Sequence, residues 1–295
     1  MSALPSDLPM VGSARKPMHK YDAAADVLSA DIEQPLREKI RPQAQVILHG
    51  DGHYQFRQAE PFRLEGILSY KGGYTQVAGR PSTKIEGFTT LTTSVIEGLN
   101  VLDVVTADRV VAQISTTHPV YGKGQVPSVT FLGTRFDNLR IDGRPVELDF
   151  NRDLLGPRHE DDRSYLDDAD VSRRIVEQQG RFTPANQLPE WAAGEVPSIA
   201  SDGNGGRRLR CSVVNSIQSS SGVPLGHVIH VPHFGRIVLG DLTVTQTYGD
   251  PAAGIYDKYR FRLTMIKIKM GCLAEGDISV VALDSNGGGS KGGGN

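Results

Sequence analysis

Apolar and polar positions alternate with a period of two over much of the chain, which is the period of strands with one buried face. In residues 61–70, Phe62 and Leu64 alternate with charged neighbours, and residues 45–49 form a shorter run of the same kind. Residues 87–116 are dense in Val, Ile and Thr, which suit a pleated surface. Gly98-Leu99-Asn100 and Thr106-Ala107-Asp108 predict a division of that stretch into three strands of a meander. The sharpest local signal is a hairpin. Leu139 and Ile141 alternate on one arm, Val146, Leu148 and Phe150 on the other, and Asp142-Gly143 between them suits a type I′ turn. Pro145 cannot donate to a ladder and belongs at the turn or facing outward.

The pattern returns from Leu209 in four strand-like runs, residues 209–217, 226–234, 235–248 and 259–270, and closes with residues 276–283. The run 259–270 changes phase: Phe261, Leu263 and Met265 alternate in one register, Ile266, Ile268 and Met270 in the other. Either a β-bulge near Met265 or a strand buried on both faces satisfies this. With ten to thirteen short strands and no βαβ rhythm, the fold class is mainly β, an antiparallel β-sandwich or barrel.

Two regions depart from the pattern. Val27, Leu28, Ile32, Leu36 and Ile40 lie near helical spacing, but Pro35 interrupts them, so a short helical turn or an extended segment is expected there. Residues 153–206 are polar and turn-rich, and read as a mostly irregular, partly helical insertion on the surface of the β domain. Asp168 or Asp170 is placed to cap a helix ending near Gly180. The expected organisation is an N-terminal arm over residues 1–43, a β domain over 44–283 carrying the insertion 153–206, and a flexible Gly-rich tail over 284–295.

The sequence has 295 residues, 32 Lys and Arg against 34 Asp and Glu, and a net charge of -2, which speaks against a dedicated nucleic-acid binder. No apolar run is long enough to span a membrane, and the N-terminus lacks the apolar region of a secretory signal, so a cytoplasmic location is expected. Cys211 and Cys272 read as buried thiols, with a single disulfide or a shared metal site as the alternatives.

Several segments look like those of uncharacterised bacterial β-rich proteins of the choice-of-anchor type. They are residues 74–79 (YTQVAG), 89–95 (TTLTTSV), 98–108 (GLNVLDVVTAD), 129–136 (VTFLGTRF), 234–237 (FGRI) and 263–265 (LTM). The resemblance implies a bacterial origin, a β fold and a cell-surface or extracellular location, and no chemistry.

Candidate chemistry is sparse. His49, Asp51 and His53 in a glycine-rich turn are acceptable metal ligands, as are His227 and His233 around a strand. His118, ahead of Pro119, reads as a loop residue. Asp161, Asp162, Asp167, Asp168 and Asp170 form an acidic run suited to a solvated face or a weakly held hard cation. No nucleophile elbow, phosphate-binding loop or complete calcium loop is present. Trp191 is the sole tryptophan, either an insertion anchor or a platform for a sugar ring. No catalytic residue and no cofactor is assigned. The leading expectation is a non-catalytic structural or interaction protein that self-associates, as an oligomer or filament subunit, through edge strands and the N-terminal arm. A glycan- or ligand-binding β domain is the alternative, and a metal-dependent enzyme a further one.

Overall fold

The computed structural model describes residues 18–50, 52–83, 87–119, 126–159, 161–182, 188–203, 205–249, 257–271, 274–287 and 289–290. In chain order the strands begin with β1 (Met18–His19), β2 (Tyr21–Gln34), β3 (Glu38–Gln43), β4 (Val46–Gly50), β5 (His53–Ala59), β6 (Phe62–Leu64), β7 (Leu68–Tyr70) and β8 (Gly72–Pro81). Next come β9 (Gly87–Val101), β10 (Val105–Pro119), β11 (Ser128–Thr130), β12 (Arg135–Asp137), β13 (Arg140–Ile141) and β14 (Arg144–Phe150). Helices α1 (Ala169–Gly180) and α2 (Glu190–Ala193) follow. The chain then forms β15 (Ser198–Ser201), β16 (Arg207–Ser212), β17 (Val214–Ser219), β18 (Val223–Leu225), β19 (Val228–Val231), β20 (Gly235–Thr247), β21 (Lys258–Gly271), β22 (Glu275–Gly287) and β23 (Gly289–Ser290).

Apart from β1 and β23, which pair with each other, these strands build two antiparallel sheets packed face to face, the sandwich of the two expected alternatives, sandwich or barrel. The first has the order β17-β14-β13-β10-β9-β7-β6, with β8 and then β5 continuing outward from β9. The second has the order β15-β16-β20-β21-β22-β2-β3, with β4 beside β2 and the β18–β19 hairpin on β20. Strands β8, β9 and β10 lie across β2, β22 and β21. Val27, Leu28, Ile96, Val110, Leu263 and Val280 are fully buried in the space between. Polar side chains also bridge the sheets: Ser94 Oγ donates to the Asp26 carbonyl at 2.8 Å, and Thr116 Oγ1 lies 3.3 Å from Ser285 Oγ.

Several expectations need correction. The arm assigned to residues 1–43 is a strand of the second sheet from Tyr21 onward, with β22 on one side and β3 and β4 on the other. Its inward residues Tyr21, Ala23, Ala25 and Val27 keep the period of two, but the small alanines carry little hydropathy and hid it. The tail assigned from residue 284 is also sheet at first, since β22 runs to Gly287 and Ser285 is fully buried. Residues 87–116 give two long strands rather than three. The turn falls at Leu102 and Asp103, both at positive φ, and the Asn100 amide and Asp103 exchange hydrogen bonds of 2.6 and 2.9 Å across it. Residues 61–70 fold back on themselves at Glu65-Gly66, and the run 209–217 splits so that β16 and β17 join different sheets.

The insertion over 153–206 is not a surface appendage. Leu154, Leu155, Tyr165, Leu166, Val171 and Ile175 are buried in the main core. Tyr165 donates to the Pro127 carbonyl at 2.8 Å, and Gln178 Nε2 to the Ser212 carbonyl at 2.7 Å. A polar segment can do this because few apolar residues, spaced about a turn apart, suffice to seal one side of a sandwich. Asp168 caps α1 as predicted, accepting from Val171 N at 2.8 Å.

The phase change in residues 259–270 is met by burial on both faces rather than by a bulge. Ladder partners on either side of Met265 keep one register with β20 and with β22, and Leu263 to Ile266 are all buried. The flip is shared across strands. Gly240 and Val281, which stand opposite Met265, both take positive φ, so β20 and β22 turn over at the same row. The Asp142-Gly143 hairpin has the two positive φ values of a type I′ turn, 51° and 71°. Among the described residues no helix is long and apolar enough to cross a membrane.

Candidate functional site

The two sheets end differently along the side where β4 passes into β5. Strand β3 reads EKIRPQ, so its margin carries Glu38, Lys39, Arg41 and Pro42. Strand β5 reads HYQFRQA, and every residue but Ala59 is exposed. It pairs with β8 alone among the described residues, leaving its other margin open. Tyr54 and Phe56 share the outer face of the first sheet because they are two residues apart. They are 62% and 51% exposed. The Phe56 ring stacks on Tyr74 of β8, 5.8 Å between centroids, a diagonal pairing that fixes its orientation. An open strand margin with aromatic side chains and neither Lys nor Pro is a template for pairing with another chain.

A cluster of rings lies against the start of this edge. His19 stacks on Phe88 at 4.7 Å, meets Tyr21 edge-on at 4.7 Å and lies 5.0 Å from His118. The Tyr21 ring occupies space over Gly52 and Gly79 that a Cβ at either position would enter, within 2.7 and 2.6 Å respectively. His118 is thus a buried strand residue of β10, not a loop residue, and neither its Nε2 nor that of His19 has a hydrogen-bond partner. Burial lowers His19 to about 4; burial, and then the neighbouring His19, lower His118 to about 3. Both rings are therefore neutral at physiological pH.

The candidate metal ligands do not converge. His49 is exposed and lies 3.1 Å from Asp22 through its Nδ1. His53 is exposed at the head of β5, and Asp51 lies outside the described residues. His227 is buried edge-on against Phe182 at 5.2 Å, and burial lowers it to about 4. His233 sits in the β19–β20 turn and lines an apolar cavity of about 550 Å³ with Val231, Phe234 and Ile67. Among the described residues no three His, Cys, Asp or Glu side chains gather to hold a metal ion. The acidic run is spent on partners within the chain: Asp161 pairs with Arg163, Asp162 with Arg158, Asp167 with Arg207 and Asp170 with Arg173, and Asp168 contacts the His159 imidazole. Cys211 is a buried free thiol, and Cys272 lies outside the described residues.

Trp191 belongs to a small second core with Phe182, Ala192, Val228 and Val238. Its ring stacks on His230 at 5.2 Å, and its carbonyl accepts from Arg236 Nη1 at 3.0 Å. It anchors α2 to the sheet, and one of its faces is taken by the imidazole. Tyr54 and Phe56 are residues that sequence reasoning missed, and the signal that points to them is their alternation with Gln55 and Arg57.

The family model of DUF8256, a domain of unknown function, matches residues 19–245. The chain belongs to this family. The match covers the first sheet, the insertion, the β5 edge and the ring cluster, and ends within β20, before β21 and β22 of the second sheet. No curated protein and no solved structure matches the chain.

Proposed function

We propose that this DUF8256 protein is a non-catalytic structural protein that self-associates by pairing β5 with β5 of a second copy. The open, aromatic margin of β5 carries the reading. An antiparallel pairing centred on Phe56 uses the whole strand. It sets Phe56 against Phe56, Gln55 against Arg57, Tyr54 against Gln58 and His53 against Ala59, with no like charges opposed. Such an interface is isologous and closes as a dimer. The N-terminal arm has no part in it from Tyr21 on, because that segment is already a strand of its own sheet.

Sedimentation across a concentration series tests the proposal. The native chain sediments as a dimer and Tyr54→Lys/Phe56→Lys as a monomer of unchanged fold. A native chain that stays monomeric at about 100 μM, or a dimer indifferent to both substitutions, sinks it.

A further inference from the structure

The outer face of the second sheet, remote from the β5 edge, carries a depression of about 440 Å³. Cross-strand pairing builds it in two rows. Arg208 stands opposite Thr245 and Thr245 opposite Arg260; one step along, Arg210 stands opposite Thr243 and Thr243 opposite Arg262. Within a row the two arginines are two strands apart, about 10 Å, and the rows are about 7 Å apart. Lys267 closes one end and also lines a second depression, about 520 Å³, farther along the same face.

The carboxylates lie low in this arrangement and the cations stand high. The Asp241 side chain is 4% exposed and accepts from Arg210 Nε at 3.2 Å and from Lys267. The Asp284 side chain is 20% exposed and takes Arg260 Nε at 3.4 Å and Arg262 Nη2 at 3.1 Å. Glu195, 8% exposed, adds a second contact to Arg210, and Asp22 a second to Arg260. By contrast the Arg260 and Arg262 side chains are 50% and 60% exposed. Each guanidinium has five N–H donors; Arg260 and Arg262 spend one or two of them on these struts, and Arg210, which also donates to the Gly194 carbonyl, spends three. Arg208 has no ion pair among the described residues. Arg262 and Asp284, directly opposed on β21 and β22, serve the sheet as an ion pair, whereas the rows Arg208–Arg260 and Arg210–Arg262 also set like charges near one another on one face. Among the described residues no aromatic side chain lines the depression, so none of them offers the stacking platform that nucleobases and neutral sugars use.

We infer that this face binds a compact polyanion, a molecule with two or more sulfate or phosphate groups about 7–10 Å apart. The two arginine rows take the oxyanions by charge-assisted hydrogen bonds, and the Thr243 and Thr245 hydroxyls take the groups between them. The site is independent of the β5 pairing.

Calorimetric titration of the full chain, in buffer of about 50 mM salt, tests the inference with three probes: inositol hexakisphosphate, a sulfated disaccharide and inorganic phosphate. At least one polyanion binds saturably, and inorganic phosphate binds at least about tenfold more weakly. Whichever polyanion binds more tightly distinguishes a phosphorylated from a sulfated ligand. Arg208→Gln/Arg262→Gln, both at solvent-facing positions, weakens binding at least about tenfold. Arg63→Gln/Arg144→Gln on the other sheet, with the same change in net charge, leaves it unaltered. The inference is overturned if neither polyanion binds at about 1 mM, if inorganic phosphate binds as well as they do, or if both double variants lose the same affinity.

Discussion

Strands β3 and β5 are both sheet margins, separated in sequence by β4 alone, and they are built on opposite principles. The β3 margin carries Glu38, Lys39 and Arg41, with Pro42 one residue before its end, and Lys39 reaches Asp31 at 3.4 Å. Charge and the missing N–H discourage a further strand there. The β5 margin has one arginine, no proline and two solvent-facing aromatic rings. The difference teaches that one edge of this sandwich is defended and the other is left available. A fold that only needed to stay monomeric would defend both.

The largest test of this contrast uses pH, because the ring cluster abuts β5 and not β3. His19, His118 and His227 are all lowered by burial, to about 4, 3 and 4. The unfolded chain takes up protons on these groups below about pH 6.5, while the native chain does not, so stability falls as pH drops through that range. Asp26 works the other way. Burial, opposed by Arg262, raises it to about 6, so the native state gains a proton there before the unfolded chain does and recovers part of the loss. His118→Leu removes one such histidine and its unpartnered Nε2. Denaturant titrations at pH 7.5 and 5 then show a pH-dependent loss smaller by about 2 kcal/mol than in the native chain. Hydrogen exchange at pH 5 quickens first in β5 and β8 near Gly79, and later in β3. Equal pH dependence of the two chains would place the proton uptake elsewhere.

A charge exchange at Gln55 comes next, since the proposed register sets it against Arg57 of the other copy. Gln55→Lys weakens the dimer about tenfold and Gln55→Glu tightens it by a few fold, as read by sedimentation. Identical effects of the two would disprove the register while leaving edge pairing to the Tyr54 and Phe56 result. Stripping the defended edge is a smaller perturbation. Lys39→Val/Arg41→Val adds species larger than the dimer above about 100 μM, because a second margin becomes available. Smallest is Lys39→Ala, which removes an ion pair whose partners are 78% and 59% exposed. It shifts the unfolding free energy by less than about 0.5 kcal/mol.

The sandwich, the type I′ hairpin and the Asp168-capped helix were all legible in the sequence, because each depends on neighbours within a few residues. Side-chain alternation, positive-φ tolerance at Asp-Gly and a capping carboxylate are local properties. The candidate site was less legible. Tyr54 and Phe56 are an ordinary alternating pair until the sheet order leaves β5 last in line. The histidines looked like ligands because spacing cannot say which face of which sheet each one meets. In the acidic run Asp161, Asp167 and Asp170 stay more than half exposed, as a solvated face requires, while Asp167 takes its arginine, Arg207, from a distant strand.

Alternation along the chain thus determined that this protein is built of antiparallel strands with one buried face, as a sandwich or a barrel, since a period of two puts its apolar half on one side of a sheet. Tertiary structure alone decided which strands became margins, which histidines lost their water and where four arginines met on one face. Those outcomes turn on which strand neighbours which, and long-range pairing is set by the packing of both sheets together rather than by any stretch of sequence.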